Sequence, residues 1–162
     1  MSGVTLREMT IADYEAVLSL WKASDGMSIG ESDTPEAIAM YLARNPGMST
    51  VAVAPSGEVV GAVLCGHDGR RGCLHHLAVC REWRGRGIAA AMLNRCLDQL
   101  AAARIVKCNL FVFQSNVEGR EFWQHNGWSL REDLQVLQYS LGAAPASEVQ
   151  PSRSGTAADA AH

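Results

Sequence analysis

Between Cys73 and Phe113 the hydrophobic pattern changes period twice, and no other stretch limits the fold as much. Cys73 to Cys80 is a short apolar run of strand character. Gly87 to Ala103 is alanine-rich and places Ala89, Met92, Leu93, Cys96 and Leu100 on one helical face, with Arg104 where the helix dipole favours a cation. Ile105 to Phe113 is then almost continuously apolar, as in a strand buried on both faces. A strand, a helix and a second strand in this order make a crossover, so the two strands should run parallel.

The elements before the crossover predict an antiparallel meander. Val4 to Met9 alternates as an opening strand, and a helix from about Ile11 carries Ile11, Tyr14, Val17, Leu18 and Trp21 at helical spacing. Ser24 to Asp33 is a loop; Thr34-Pro35 is an N-cap and first-turn proline, opening a helix that runs to about Arg44. Met48 to Ala54 and Glu58 to Gly66 form a hairpin across Pro55-Ser56-Gly57, and a turn over residues 66–72 leads into Cys73. After the crossover come a helix over about Val117 to His125 and strands near Trp128 to Arg131 and Gln135 to Leu141. The expected fold class is α/β (α+β): one mixed sheet of about six to seven strands with helices on both faces. The domain should occupy residues 1–141. Residues 142–162 are mostly Ala, Pro, Ser and Gly and should be a disordered C-terminal tail.

Composition narrows the function classes. The chain has 162 residues, 48% hydrophobic and 19% charged, enough for one globular domain with a core. It contains no apolar run of about 18 residues and no apolar leader, which argues against a membrane role. Its five cysteines form no Cys-x-x-Cys pair, so free thiols in a reducing cytoplasm are expected rather than a disulfide framework or a metal site. A net charge of −3 argues against nucleic-acid binding. Oligomeric state is not legible, and a homodimer is left open.

The basic residues that do cluster sit in a loop. Arg81, Arg84 and Arg86 fall within six residues, interleaved with Gly85 and Gly87, between the third meander strand and the alanine-rich helix. The start of a helix has unpaired N–H groups and the positive end of its dipole, which together attract anions. Glycines admit a phosphate close to the backbone, and arginines supply bidentate donors. The junction therefore predicts a phosphate or pyrophosphate site. Residues 85–90 also satisfy the dinucleotide pattern G-x-G-x-x-G/A, but the preceding strand ends a meander and no acidic residue ends the following one.

Arg84-Gly85-Arg86-Gly87-Ile88-Ala89 resembles the acetyl-CoA loop of the GNAT superfamily of N-acetyltransferases, [Arg/Gln]-x-x-Gly-x-[Gly/Ala]. Asn116 to Trp123, followed by Gly127-Trp128, resembles the family's Asn-x-x-Ala-x-x-Phe-Tyr helix and Gly-[Phe/Trp] pair. The resemblance spans about residues 4–141 and implies a GNAT-like, centrally splayed sheet. It implies an N-acetyltransferase moving acetyl from acetyl-CoA, as cosubstrate, to a small-molecule or protein amine. It assigns the pantetheine arm to Leu77, Ala78 and Val79, the pyrophosphate to the amides from Arg84 to Ala89, and the pantetheine end to Asn116.

An amine must lose a proton to attack. Strand alternation predicts His75 and His76 on opposite faces, with His75 on the side of Leu77 and Val79. His75 also resembles a histidine of arylalkylamine N-acetyltransferases and is the first choice of proton acceptor. His76 is an alternative, as are Glu31 and Asp33, whose loop lies over the acceptor side in the family fold and would attract a cationic substrate. Trp123 stands where the family commonly has the tyrosine that protonates the thiolate; Tyr139 is the substitute acid implied by strand order. This departure leaves a second reading, a non-catalytic acyl-CoA-binding or regulatory module.

Overall fold

The computed structural model describes residues 3–142, in two compact units divided after Leu130. In the first unit the elements run β1 (Thr5–Glu8), α1 (Tyr14–Lys22), α2 (Pro35–Arg44), β2 (Thr50–Val53), β3 (Val59–His67), β4 (Gly72–Val79), α3 (Ile88–Ala102), β5 (Cys108–Asn109) and α4 (Val117–His125). The five strands form one sheet in the order β1-β2-β3-β4-β5. The first three pairings are antiparallel, and β4 pairs parallel with β5, as a crossover requires.

Two cores flank the sheet. On one face Cys65, Leu74 and Val79 pack with Met92, Cys96 and Leu100 of α3. On the other, Val51, Ala62, Leu64 and Ala78 pack with Val17, Trp21 and Ile38 of α1 and α2. Close approach depends on glycine at particular points. A Cβ at Gly72 would lie 2.8 Å from Leu100 Cδ1 and 3.3 Å from Cys108 Sγ, so glycine lets β4, β5 and α3 meet. At Gly66 the Cβ would lie 2.5 Å from the Tyr41 hydroxyl and 2.6 Å from Asn45 Nδ2. We expect Gly66→Ala to cost about 1–3 kcal/mol through overpacking. Denaturant unfolding measures it, and an unchanged midpoint would mean that α2 yields freely.

Local chemistry sets the helix starts. Thr34 Oγ1 accepts from Ala37 N–H at 3.1 Å and Pro35 fills the first turn, as expected. The first helix begins later than its spacing implies: Ile11 lies in a 3-10 turn over Ile11–Asp13 and is exposed, while Leu20 joins the buried face. Asp13 accounts for this, because its carboxylate accepts from Thr10 N–H at 2.9 Å and holds Arg7 at 2.7 Å.

The largest differences from expectation lie after α3. Only Cys108 and Asn109 of the apolar run pair with β4, and Phe111 and Phe113 are exposed, so this strand is not buried on both faces. Neither strand expected near Trp128 to Arg131 and Gln135 to Leu141 forms among the described residues, leaving five strands rather than six or seven. Leu134, Val136, Leu137, Tyr139 and Leu141 are exposed, and within the second unit Arg131 and Asp133 form an ion pair at 2.7 Å. Alternation specifies a face, yet a strand also needs a hydrogen-bonded neighbour. The expected disordered tail, apart from Gly142, lies outside the described residues. Among the described residues no helix is long and apolar enough to cross a membrane.

Candidate active site

Beyond Cys73 and Asn109 the parallel strands stop pairing. Cys80 N–H donates to Val60 C=O at 2.8 Å, so alternation turns the polar backbone groups of Leu77 and Val79 away from β3, toward the opened side. Of the strand assigned to pantetheine, Leu77 and Val79 also pack with the α3-side core, and Ala78 with the α1 side.

At the end of β4 a 3-10 turn over Arg81–Trp83 leads into the glycine loop. Gly85 and Gly87 have φ of 75° and 79°, left-handed values that strain any residue with a Cβ. Nothing lies within 4 Å of a Cβ built at either glycine, so the loop's surface is open there. The first bond of α3 runs from Ala91 N–H to Gly87 C=O at 3.0 Å, and the N–H groups before it have no acceptor inside the helix. Two arginines brace this loop: Arg84 Nε donates to Val79 C=O at 3.0 Å, and Arg86 donates to Glu82 C=O at 3.2 Å while its guanidinium lies 4.5 Å over Trp83. Arg81 is exposed. Open glycines, free amides and a cationic rim fit a pyrophosphate.

The middle of β4 departs from strand alternation. Ala62 pairs with Ala78 and Leu64 with His75, so His76 and Leu77 together oppose Val63 in a β-bulge. His76 has φ 55°, a strained value for a residue that is not glycine. The extra residue resets the facing of the side chains. His75 therefore does not share a face with Leu77 and Val79: it approaches Tyr41 of α2, with ring centroids 6.1 Å apart. His76 lies against Trp21 of α1 at 4.8 Å, so both histidines are on the α1/α2 side rather than on opposite faces.

The surroundings of the two imidazoles differ. His76 Nε2 is 2.9 Å from Asp33 Oδ1, and the His76 carbonyl accepts from Trp21 Nε1 at 2.9 Å. Asp33 is buried; its Oδ2 accepts from Gly30 N–H at 3.0 Å and its carbonyl from the Tyr14 hydroxyl at 2.6 Å. Burial pushes the Asp33 carboxyl up, but the His76 and Gly30 hydrogen bonds and both histidines' charge outweigh it and leave the pKa lowered. Asp33 is thus a buried anchor engaged with His76 and not open to a cationic substrate; Glu31, beside it, is exposed. His75 is lowered by burial and by neighbouring His76, against the opposing pull of Asp33, so it is neutral near pH 7.

The remaining site residues sit on or after α4. Asn116 caps that helix, its Oδ1 accepting from Gly119 N–H at 3.0 Å. A Cβ at Gly119 would lie 2.5 Å from Asn116 Nδ2, which explains glycine where the family pattern has alanine. Trp123 is half-buried, packs against the α3-side core and meets Trp128 edge-on at 5.1 Å. Tyr139 is 85% exposed, and the strand that brought it forward as an acid does not form. The sequence carries no local signal for the bulge, the His76–Asp33 pairing or the cavity beside His75, since each depends on contacts between distant segments.

A sequence profile of the acetyltransferase (GNAT) family matches residues 14–128. The chain is 38% identical over 125 residues to Acetyltransferase SG1711 of Sodalis glossinidius, covering 77% of this chain and 87% of that protein. It is 38% identical over 104 residues to Acetyltransferase ECA0875 of Pectobacterium atrosepticum, covering 64% of this chain and 72% of the relative. Among solved structures, paia N-acetyltransferase of Thermoplasma acidophilum in complex with coenzyme A aligns with a TM-score of 0.70 at 18% identity, over 79% of this chain and 91% of that one. Ard1 from Thermoplasma volcanium aligns with a TM-score of 0.70 at 21% identity, over 80% and 84%. At such identities these two structures speak to the fold.

Proposed function

The chain belongs to the GNAT family of acetyltransferases, and from that premise we propose that it transfers acetyl from acetyl-CoA to a primary amine. The observation that carries this reading is the edge of β4 that no strand pairs beyond Cys73, where Arg84 takes only the Val79 carbonyl. It runs from a neutral imidazole at His75 to a loop of open glycines and free helix amides. Acetyl-CoA, when bound, supplies an acetyl thioester with a good leaving group. The amides from Arg84 to Ala89 hold its pyrophosphate, and the edge from Leu77 to Val79, including Ala78, holds its pantetheine arm.

His75 accepts the proton that the amine must lose, directly or through one water, because it is uncharged where the reaction runs. His76 and Asp33 act beside His75 as positioning residues: pairing with Leu64 sets His75 on the α2 side, the bulge that follows brings His76 to the same side, and Asp33 Oδ1 lies 2.9 Å from His76 Nε2 there. Trp123 offers an indole N–H, a poor acid, so the thiolate leaves without a proton from it. A thiol of pKa about 8.5 makes such departure feasible near neutrality. The proposed working form is one domain over residues 1–141 acting in the cytoplasm.

A screen of amines with acetyl-CoA, read by thiol release, tests the function. Turnover of at least one amine class is expected, with acetylated nitrogen in the product. Tight CoA binding without turnover on any amine would favour the binding-module reading that Trp123 motivates.

A further inference from the structure

A cavity of about 400 Å³ opens on the α2 face beside His75, bordered by Tyr41, Arg44, Asp68, Arg71 and Asn109. Its volume suits a small molecule. Two arginines line it from separate elements, Arg44 from the last turn of α2 and Arg71 from the turn before β4. Among the described residues neither has a carboxylate partner: the ion pairs are Arg7–Asp13, His76–Asp33 and Arg131–Asp133. Asp68 is the acidic group on the rim, and its Oδ1 already accepts the backbone N–H groups of Arg70 and Arg71 at 2.8 and 2.7 Å. Two cations against one carboxylate leave the cavity positive.

A further donor is waiting there. The Tyr41 hydroxyl is buried without a hydrogen-bond partner, which costs free energy unless a ligand satisfies it. Burial holds this phenol well above its ordinary range, so it remains a neutral donor. Asn45 is already engaged, donating to Tyr41 C=O at 3.3 Å and accepting from His67 N–H at 3.0 Å. The groups left to recognise a ligand are therefore two guanidiniums and a phenol, a donor set suited to an oxyanion.

We propose that this cavity binds an acceptor amine that also carries an anionic group, a carboxylate or a phosphate, held by Arg44 and Arg71 with the amine toward His75. The proposal rests on the acetyltransfer reading and narrows its substrate class. It also reverses the charge expected from Glu31 and Asp33, since Asp33 is spent on His76. A purely cationic acceptor would meet two like charges.

The test compares amino acids, their carboxamides, O-phosphoethanolamine and diamines, with acetyl-CoA as donor. We expect kcat/KM at least tenfold higher for an anionic amine than for its uncharged counterpart. In Arg71→Gln and Arg44→Gln the loss should be at least tenfold greater for the anionic member of each pair. Unchanged melting temperatures would show that these variants fold. The better anion, carboxylate or phosphate, identifies the group. Calorimetric titration of the same amines into the CoA-saturated protein gives a readout independent of turnover. Anionic amines that bind, and lose binding in Arg71→Gln, but are never acetylated would sustain the anion site while overturning acetyltransfer. Equal or better turnover and binding of carboxamides or diamines would overturn the anion site and leave acetyltransfer standing. An absence of both binding and turnover for the anionic amines would also overturn it.

Discussion

His75→Gln is expected to lower kcat by on the order of 10²-fold or more while CoA affinity stays near that of the parent protein. Glutamine keeps polarity and approximate size but cannot take up a proton near neutral pH. His75 lies at the start of the opened part of β4 and lines the α2-face cavity, away from the glycine loop. Its loss should therefore appear in the chemical step. The pH profile supplies a second readout. A general base works when deprotonated, so kcat/KM should rise with pH through the His75 ionisation. Burial and His76 lower that ionisation from the ordinary value of 6.5, so the limb should lie on the acid side of it. The amine's own deprotonation adds a limb at higher pH, which the variant should retain. A His75→Gln protein with undiminished kcat would return the proton to His76, Glu31 or water. It would leave the loop assignment intact.

Gly87→Asp should weaken CoA binding by about 1–3 kcal/mol, roughly 5- to 150-fold, the scale of a charged hydrogen bond. Two effects act together. At φ 79° a side chain strains the backbone, and the carboxylate places negative charge at the α3 N-terminus, where a pyrophosphate would lie. Gly87→Ala separates them, because it carries the strain without the charge and should lose less. Calorimetry with CoA checks both variants. Nothing lies within 4 Å of the added Cβ, so neither should be hindered by packing. Equal affinity in parent and Asp variant, both folded, would remove the loop from the binding site.

The sequence by itself determined the meander, the parallel crossover and the glycine-arginine junction, because each depends on local period and backbone chemistry. Thr34 and Pro35 start a helix wherever they stand, and Gly85 and Gly87 allow left-handed turns without reference to distant residues. Family membership was legible for the same reason, since its two motifs are short and contiguous. The tertiary structure alone decided the facing of the histidines. Alternation separates His75 from His76 in any regular strand; one extra residue opposite Val63 brings them to the same side. That bulge is accompanied by contacts from Trp21 and Asp33, 55 and 43 residues away in the chain, and such contacts leave no local pattern. Strand pairing after α3 was equally illegible. Ile105 to Phe113 and Gln135 to Leu141 have the composition of strands, but hydrogen bonding along β5 stops at Asn109 and none of the second run forms a strand. Side-chain pattern selects a face; only a neighbouring backbone makes a strand.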